Sequence, residues 1–180
     1  MTDLRYPADD ARELVRVALA EDLGPNGLDV TTLATIPADQ EATAYVLARA
    51  AGVVAGLPVV AEVFAQVAAL IGSSVPSVEL LVSDGAAVVR GDVLARVTGP
   101  IRVILIGERT LLNIASRLSG VATHTRRWAD QLAGTRAEVL DPRKTPPGER
   151  PLGKYAVRAG RGPQKRTGAS GCAKTQDNHK

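Results

Sequence analysis

Apolar side chains recur at helical spacing near the start of the chain and at strand spacing soon afterwards. Residues 8–21 place Leu14, Val15 and Leu19 on one face, with Asp9 and Asp10 in the first turn, where the helix dipole favours acids. Residues 42–54 alternate between apolar and polar positions. The pattern predicts a helix over 8–21 and then a strand over 42–54 that is interrupted at Gly52.

The next apolar segments are punctuated by turn residues. Pro58 stands where a helix accepts its first-turn proline, and the apolar run 59–71 ends at Gly72, which predicts a helix. Two β-rich segments follow at 78–82 and 93–97, with Asp-Gly and Gly-Asp turn pairs between them. We expect these two segments to pair as strands.

A longer helical pattern covers residues 104–119, and Gly120 is expected to separate it from a second helix over 123–132. Gly134-Thr135 then turns the chain into the apolar stretch 136–140, which is typical of a short buried strand. A helix that leads through a turn into a strand is one unit of a parallel sheet or barrel. Earlier in the chain, the polar, β-branched segment 29–32 is expected to cap or bridge neighbouring elements.

Length and composition limit the architecture. The chain has 180 residues, whereas a complete eight-fold α/β barrel needs about 250. Residues 160–180 contain almost no large apolar side chain, so we expect them to be poorly structured. The single cysteine, Cys172, the absence of an apolar run of membrane-spanning length and the acidic N-terminus lead us to expect a cytoplasmic protein without a membrane segment.

Charge divides the chain into two unequal parts. Residues 143–180 carry ten lysines and arginines and two acids, whereas residues 1–142 carry twelve and seventeen. Nucleic acid is the common partner of such a basic end, but Tyr155 is its only aromatic residue, and aromatic stacking usually accompanies single-strand binding. We therefore expect no nucleic-acid partner.

The pair Arg143-Lys144 is the strongest candidate site, because it follows the predicted strand 136–140 directly. A planar guanidinium fork beside a compact ammonium suits a ligand with two carboxylates. Other interpretations remain open: a solvated charge pair before a proline turn, with Asp141 only capping that turn. Two histidines and one cysteine assemble no metal-ligand set, and His124 is expected to be a surface or dimer-contact residue.

Several motifs in order give the chain a family resemblance. The sequence from about residue 12 to about residue 159 resembles the quinolinate phosphoribosyltransferases, the carboxylating nicotinate-nucleotide pyrophosphorylases. The motifs are Glu21-Asp22-Leu23-Gly24, Asp29-Val30-Thr31-Thr32, Glu108-Arg109-Thr110-Leu111-Leu112-Asn113, Leu118-Ser119-Gly120-Val121-Ala122-Thr123, Asp141-Pro142-Arg143-Lys144-Thr145 and Lys154-Tyr155-Ala156-Val157-Arg158.

The resemblance implies a fold and a reaction. The expected fold is an N-terminal α/β sandwich domain over 1–115, followed over 116–180 by the start of an incomplete α/β barrel, so the fold class is α+β with α/β character. The reaction would be phosphoribosyl transfer from phosphoribosyl pyrophosphate to quinolinate with decarboxylation, in NAD biosynthesis. Magnesium would arrive with the phosphoribosyl pyrophosphate, and we identify no ligands for it in this chain.

The resemblance also assigns roles to residues. Members work as head-to-tail dimers, and Arg109 would be donated across the interface into the partner's site. Arg143 and Lys144 match the pair that grips the quinolinate carboxylates, with Lys144 as the catalytic residue, and Lys165 and Arg166 match further substrate-binding positions. Arg109 could instead pair with a surface acid.

The chain departs from the family pattern near its end. Pro142 stands where the family usually has threonine, Lys165 where it has histidine, and Gln176 where it has lysine. The family's carboxylates for the ribose and metal have no counterpart before Lys180. We therefore expect a C-terminally truncated and altered member with impaired activity. The alternative is a non-catalytic dimerisation fragment that associates with a full-length homologue.

Overall fold

The computed structural model describes residues 4–27, 29–137, 139, 141 and 144–160. This part of the chain forms five helices and five strands. The helices are α1 (Ala8–Leu23), α2 (Val30–Thr35), α3 (Val59–Ile71), α4 (Ile101–Gln131) and α5 (Arg150–Ala159). The strands are β1 (Glu41–Leu47), β2 (Gly52–Val53), β3 (Ser77–Leu80), β4 (Ala87–Val88) and β5 (Val93–Pro100).

The strands form two small antiparallel sheets. The first has the order β1-β5-β3, with Val97 of β5 opposite Ala44 on one side and Val78 on the other. The second pairs β2 with β4. The predicted pairing of the β-rich segments is confirmed, whereas the single predicted strand over 42–54 is wrong. Its two parts, β1 and β2, belong to different sheets.

The core lies between the sheets and the helices. α3 is apolar on most of its surface and buries Phe64 and five other side chains, and Gly72 ends it with φ 66°, a left-handed conformation that glycine adopts without strain. α1 contributes Ala11, Val15 and Leu19, which recur every fourth residue on one face. The predicted helices over 8–21 and 59–71 are confirmed.

α4 is one continuous helix of 31 residues, so the predicted break at Gly120 is wrong. A glycine inside a helix costs only about 1 kcal/mol relative to alanine. The residues on either side, Leu118 and Ala122, are both buried, and their packing outweighs that cost.

The predicted buried strand over 136–140 is also wrong for the residues described there. Arg136 and Ala137 are exposed, and no described residue of the segment pairs with a strand. A strand needs a neighbour for its main-chain groups, and neither sheet extends to this segment. α5, in contrast, follows a helical spacing that the sequence already carried, because Leu152, Tyr155, Ala156 and Ala159 are all buried.

Candidate functional site

Lys144 lines a cavity of about 220 Å³ between α4, α5 and the segment that joins them. The wall combines apolar side chains of both helices with charged side chains. The lining residues are Arg117, Leu118, Val121, Asp141, Lys144, Thr145, Pro146, Glu149, Gly153, Lys154 and Val157. Since Lys144 is itself exposed, this concave surface is open to a ligand.

A buried ion pair forms the inner wall of the cavity. Lys154 Nζ donates to Asp141 Oδ2, and both side chains are only 3% exposed. Asp141 Oδ1 is buried and has no hydrogen-bond partner in the described part of the chain. Asp141 therefore binds a helix residue, which is a different role from the turn cap considered above.

A second ion pair lies closer to solvent. Arg117 Nε of α4 donates to Glu149 Oε2, and these side chains are 49% and 27% exposed. Arg150 Nε donates to Thr145 Oγ1 at 3.1 Å. The acids at both ends of the segment 141–149 are thus paired with bases of two helices.

Lys144 has no ion-pair partner among the residues that the structure describes. Its ammonium offers three donors and a full charge beside two ion pairs that are each neutral as a unit. The cavity wall consequently carries a net positive charge, which suits an anionic ligand. Arg143, Lys165 and Arg166 lie outside the described residues, so their predicted roles stay predictions.

Arg109 lies elsewhere on α4. It is 73% exposed, and its Nη1 donates to Asp22 Oδ1 at 2.7 Å, which raises the pKa of the guanidinium through that hydrogen bond. Eight residues separate it from Arg117, about 12 Å along a helix axis. Arg109 is not among the residues that line the cavity of its own chain.

The motif around Asp29 orders the short helix α2, which packs against α4. Asp29 caps α2, because its carboxylate accepts from the main-chain N–H of Thr32 at 3.0 Å and from its hydroxyl at 2.7 Å. These hydrogen bonds, the hydroxyl one foremost, lower the pKa of Asp29. Arg102 fixes the other end of α2 by donating to the carbonyls of Leu33 and Ile36. The capping expected for this segment is confirmed.

The motif 118–123 has a structural role in this chain. The hydroxyls of Ser119 and Thr123, one turn apart on α4, accept from the main-chain N–H groups of Ala55 and Val53 at 3.1 and 2.8 Å. The two hydroxyls thus bind main-chain N–H groups of β2 and of the residues just after it, as a neighbouring strand would. Gly52 permits the approach, since a Cβ there would lie 2.6 Å from Thr123 Oγ1.

α5 is anchored to the N-terminal part of the chain through Tyr155. Its hydroxyl donates to Asp84 Oδ2 at 2.5 Å, and Asp84 also accepts from the N–H groups of Gly56 and Leu57. Burial, and then the bond to Asp84, raise the pKa of Tyr155. Sequence reasoning missed this contact because the two residues are 71 positions apart.

A wider groove of about 670 Å³ adjoins the cavity and shares Arg117, Val121, Asp141 and Val157 with it. It adds His124 and Trp128, whose indole N–H donates to His124 Nε2 at 3.0 Å. His124 is exposed, as expected from the sequence. No group of three or more potential metal-ligating side chains occurs among the described residues, and none of their helices is both long and apolar enough to span a membrane.

Family comparisons cover most of the chain. The model of the quinolinate phosphoribosyl transferase N-terminal domain matches residues 29–119, and that of the C-terminal domain matches residues 121–180. The predicted boundary, between residues 115 and 116, lies inside α4. Our division of the chain into two domains at that position stays a prediction.

Curated relatives share the sequence over nearly the whole chain. The carboxylating nicotinate-nucleotide pyrophosphorylase of Mycobacterium leprae is 43% identical over 171 residues, which are 95% of this chain and 59% of the relative. The chloroplastic protein of the same name from Arabidopsis thaliana is 40% identical over 97% of this chain and 48% of its own length. The chain therefore spans about half to three fifths of the curated relatives it matches.

Solved structures agree with these matches. The nicotinate-nucleotide pyrophosphorylase of Francisella tularensis has a TM-score of 0.86 at 33% identity and covers 97% of this chain, which spans 60% of that one. NadC of Streptococcus pyogenes has a TM-score of 0.87 at 32% identity with the same coverage. These likenesses confirm the predicted fold class, an α+β N-terminal part that leads into part of an α/β barrel.

Proposed function

The chain belongs to the quinolinate phosphoribosyl transferase family, and we propose on that basis that it joins quinolinate to phosphoribosyl pyrophosphate with decarboxylation. The products are nicotinate mononucleotide, pyrophosphate and carbon dioxide, so the activity is a phosphoribosyl transfer within NAD biosynthesis. One observation carries the proposal: Lys144, next in sequence to Arg143, is a cation without an ion-pair partner among the described residues, on the wall of a cavity.

The chemistry of this wall fits a dicarboxylate. Quinolinate brings two ring carboxylates, and an ammonium beside a guanidinium can hold them in one orientation. Loss of carbon dioxide leaves electrons on the ring carbon, and a fixed positive charge stabilises that developing carbanion. Lys144 is the catalytic residue of this proposal, and Arg143, Lys165 and Arg166 add substrate contacts.

Arg109 enters the site from a second copy of the chain. Arg109 does not line the cavity of its own chain, whereas its exposed position on α4 allows it to reach a neighbouring molecule. Leu105 and Leu112 lie on the same helix face, at spacings of four and three residues, and are 38% and 42% exposed. An apolar surface around a cation supports a homodimer in which each copy donates Arg109 to the other.

Magnesium reaches the site with phosphoribosyl pyrophosphate, whose pyrophosphate oxygens are the hard ligands that the ion prefers. The proposal therefore places no resident metal on this chain. A cytoplasmic location also stays a prediction from the cysteine content, and the Arabidopsis thaliana relative carries a chloroplastic name.

The test is a comparison of quinolinate binding by the wild-type chain and by Lys144→Gln. We expect titration calorimetry to show that the variant binds quinolinate at least about tenfold more weakly than wild type, because a hydrogen bond to a charged group contributes about 1.5–3 kcal/mol. Arg90→Gln is the matched control, since Arg90 lies in an exposed turn away from the cavity. Equal affinities for Lys144→Gln and wild type would contradict the proposal.

Turnover is followed in parallel with quinolinate, phosphoribosyl pyrophosphate and magnesium, by formation of nicotinate mononucleotide. We expect low activity, because Gln176 replaces a lysine of the family pattern and removes a full charge. Gln176→Lys should strengthen quinolinate binding by about ten- to a hundredfold. Unchanged binding by that variant would remove position 176 from the site.

The second candidate function is a non-catalytic dimerisation fragment. The exposed face around Arg109 favours it, because that face needs no completed barrel. Size-exclusion chromatography of this chain with an intact relative distinguishes the two. A mixed dimer without turnover by the chain itself supports the fragment, whereas turnover by the chain alone supports the enzyme.

A further inference from the structure

The segment that carries Lys144 is fixed at both ends by its own acids. Residues 141–149 contain two acids, Asp141 and Glu149. Asp141 pairs with Lys154 of α5, and Glu149 pairs with Arg117 of α4. The two ends of the segment are therefore tied to two different helices, and Lys144 lies between them.

This pairing has an electrostatic consequence for Lys144. Asp141 is the acid nearest to Lys144 in sequence, but its side chain is only 3% exposed and pairs with Lys154, whereas Lys144 is exposed. With both acids of the segment engaged by helix residues, Lys144 has no ion-pair partner among the described residues. Among the described residues, Lys144 is thus a cation without a paired acid, although the sequence of the segment contains as many acids as bases, counting Arg143 and Lys144.

The inner ion pair is suited to fix geometry. Both of its side chains are only 3% exposed, and two apolar side chains would fill the same space without the cost of desolvating two charges. The pair adds a defined geometry, because an ammonium and a carboxylate in contact fix the distance between the main chains of Asp141 and Lys154. Lys154 also lines the cavity together with Lys144.

We propose that Asp141 and Lys154 are positioning residues, which hold Lys144 where it can bind the substrate anion. Asp141 lies three positions before Lys144 in the chain, so the pair acts on Lys144 by fixing Asp141 against α5, and it transfers no proton. The identity of the anion as quinolinate rests on the proposed function above, whereas the mechanical part of the proposal rests on the contacts of this chain alone.

The mechanical part is tested by limited proteolysis of the folded chain with trypsin, with the products followed by mass spectrometry. In Asp141→Asn we expect cleavage after Lys144 to be about tenfold faster than in wild type, because release of the pair opens the segment locally. Cleavage after Arg90, in an exposed turn, is the internal control and should stay unchanged. Equal rates after Lys144 in both proteins would overturn the proposal.

Global unfolding is distinguished by the same digest. If cleavage of Asp141→Asn rises after Arg90 as well, the single variant has unfolded as a whole. The double variant Asp141→Asn/Lys154→Gln, which leaves no unpaired buried charge, then separates local opening from global unfolding. A rise confined to Lys144 in the double variant supports positioning. A rise at both sites in both variants overturns the proposal, because the pair then supports the whole fold.

The functional part is tested by quinolinate affinity of the folded fraction. We expect the double variant to bind about tenfold or more weakly, since small displacements of binding groups are costly. Glu79→Gln, which breaks an exposed ion pair with Arg96 between β3 and β5, is the matched control and should bind like wild type. A merely structural pair would lower the free energy of unfolding and leave this affinity unchanged, which would overturn the proposal. If wild type itself binds no quinolinate, the proposed function fails, and the proteolysis alone decides on positioning.

Discussion

The two ion pairs at the ends of the segment 141–149 differ in burial, and their contributions to stability should differ accordingly. Lys154→Met leaves Asp141 as a buried charge without its partner and should lower the free energy of unfolding by about 3–5 kcal/mol. Glu149→Gln alters a partly exposed pair and should cost less than about 1 kcal/mol. Urea unfolding of both variants measures the difference, and equal losses would contradict it.

The buried phenol of Tyr155 leads us to expect that the free energy of unfolding falls at alkaline pH. Burial and the bond to Asp84 hold its pKa above the ordinary value of 10.0 in the folded state. Above that value the unfolded chain loses the phenol proton while the folded chain retains it, so stability is complete at lower pH and falls as the pH rises. Urea unfolding between about pH 8 and pH 11 should show this fall.

The variant Tyr155→Phe isolates the contribution of that hydroxyl. It removes a hydrogen bond to a carboxylate and should lower the free energy of unfolding at neutral pH by about 1.5–3 kcal/mol. The alkaline fall should become smaller but should not vanish, because burial also raises the pKa of Tyr6. An identical pH dependence in both proteins would contradict the assignment.

Single residues were predictable where their type alone indicates chemistry. Arg109 and Lys144 were recognised as candidates because a cation in a family motif is informative by itself. The partners of Asp141 and Asp84 were not predictable, since each is selected by packing between segments that are distant or irregular in sequence. For Asp141 the local sequence indicates only the open alternative of a turn cap, because nothing near it in the chain points to Lys154.

At the scale of elements, long periodic segments were predictable, whereas features that depend on contacts between distant segments were not. α1 and α3 have a continuous buried face, and the pairing of β3 with β5 follows from turn residues. The segment 136–140 has the composition of a strand but no neighbouring strand in the described structure. Gly120 was expected to break a helix, although α4 continues because the residues around it pack against β2.

Two glycines on either side of that contact give opposite predictions. Gly120 is helical with open space around a Cβ, so Gly120→Ala should raise the free energy of unfolding by about 1 kcal/mol. Gly52→Ala would place a Cβ 2.6 Å from Thr123 Oγ1 and should be destabilising. Thermal unfolding of the pair measures both signs, and a destabilising Gly120→Ala would contradict the continuous helix.

At the scale of the molecule, α4 connects the two regions that the proposed function requires. Arg109 lies toward its N-terminal end and pairs with Asp22 of α1, whereas Arg117 contacts the segment that carries Lys144. Within one chain, α4 therefore holds Arg109 away from the cavity that Lys144 lines. A dimer with two-fold symmetry, in which the Arg109 of one copy faces the cavity of the other, would complete two equivalent sites.

Subunit complementation tests this arrangement directly. Arg109→Ala and Lys144→Ala should each weaken quinolinate binding at both sites of the pure dimer. In a mixed dimer one site combines the intact Lys144 of one copy with the intact Arg109 of the other. Random reassembly of equal amounts should therefore restore about a quarter of the wild-type binding sites. If Arg109 served the cavity of its own chain, no mixed dimer would contain an intact site, and titration of the mixture would show no recovery.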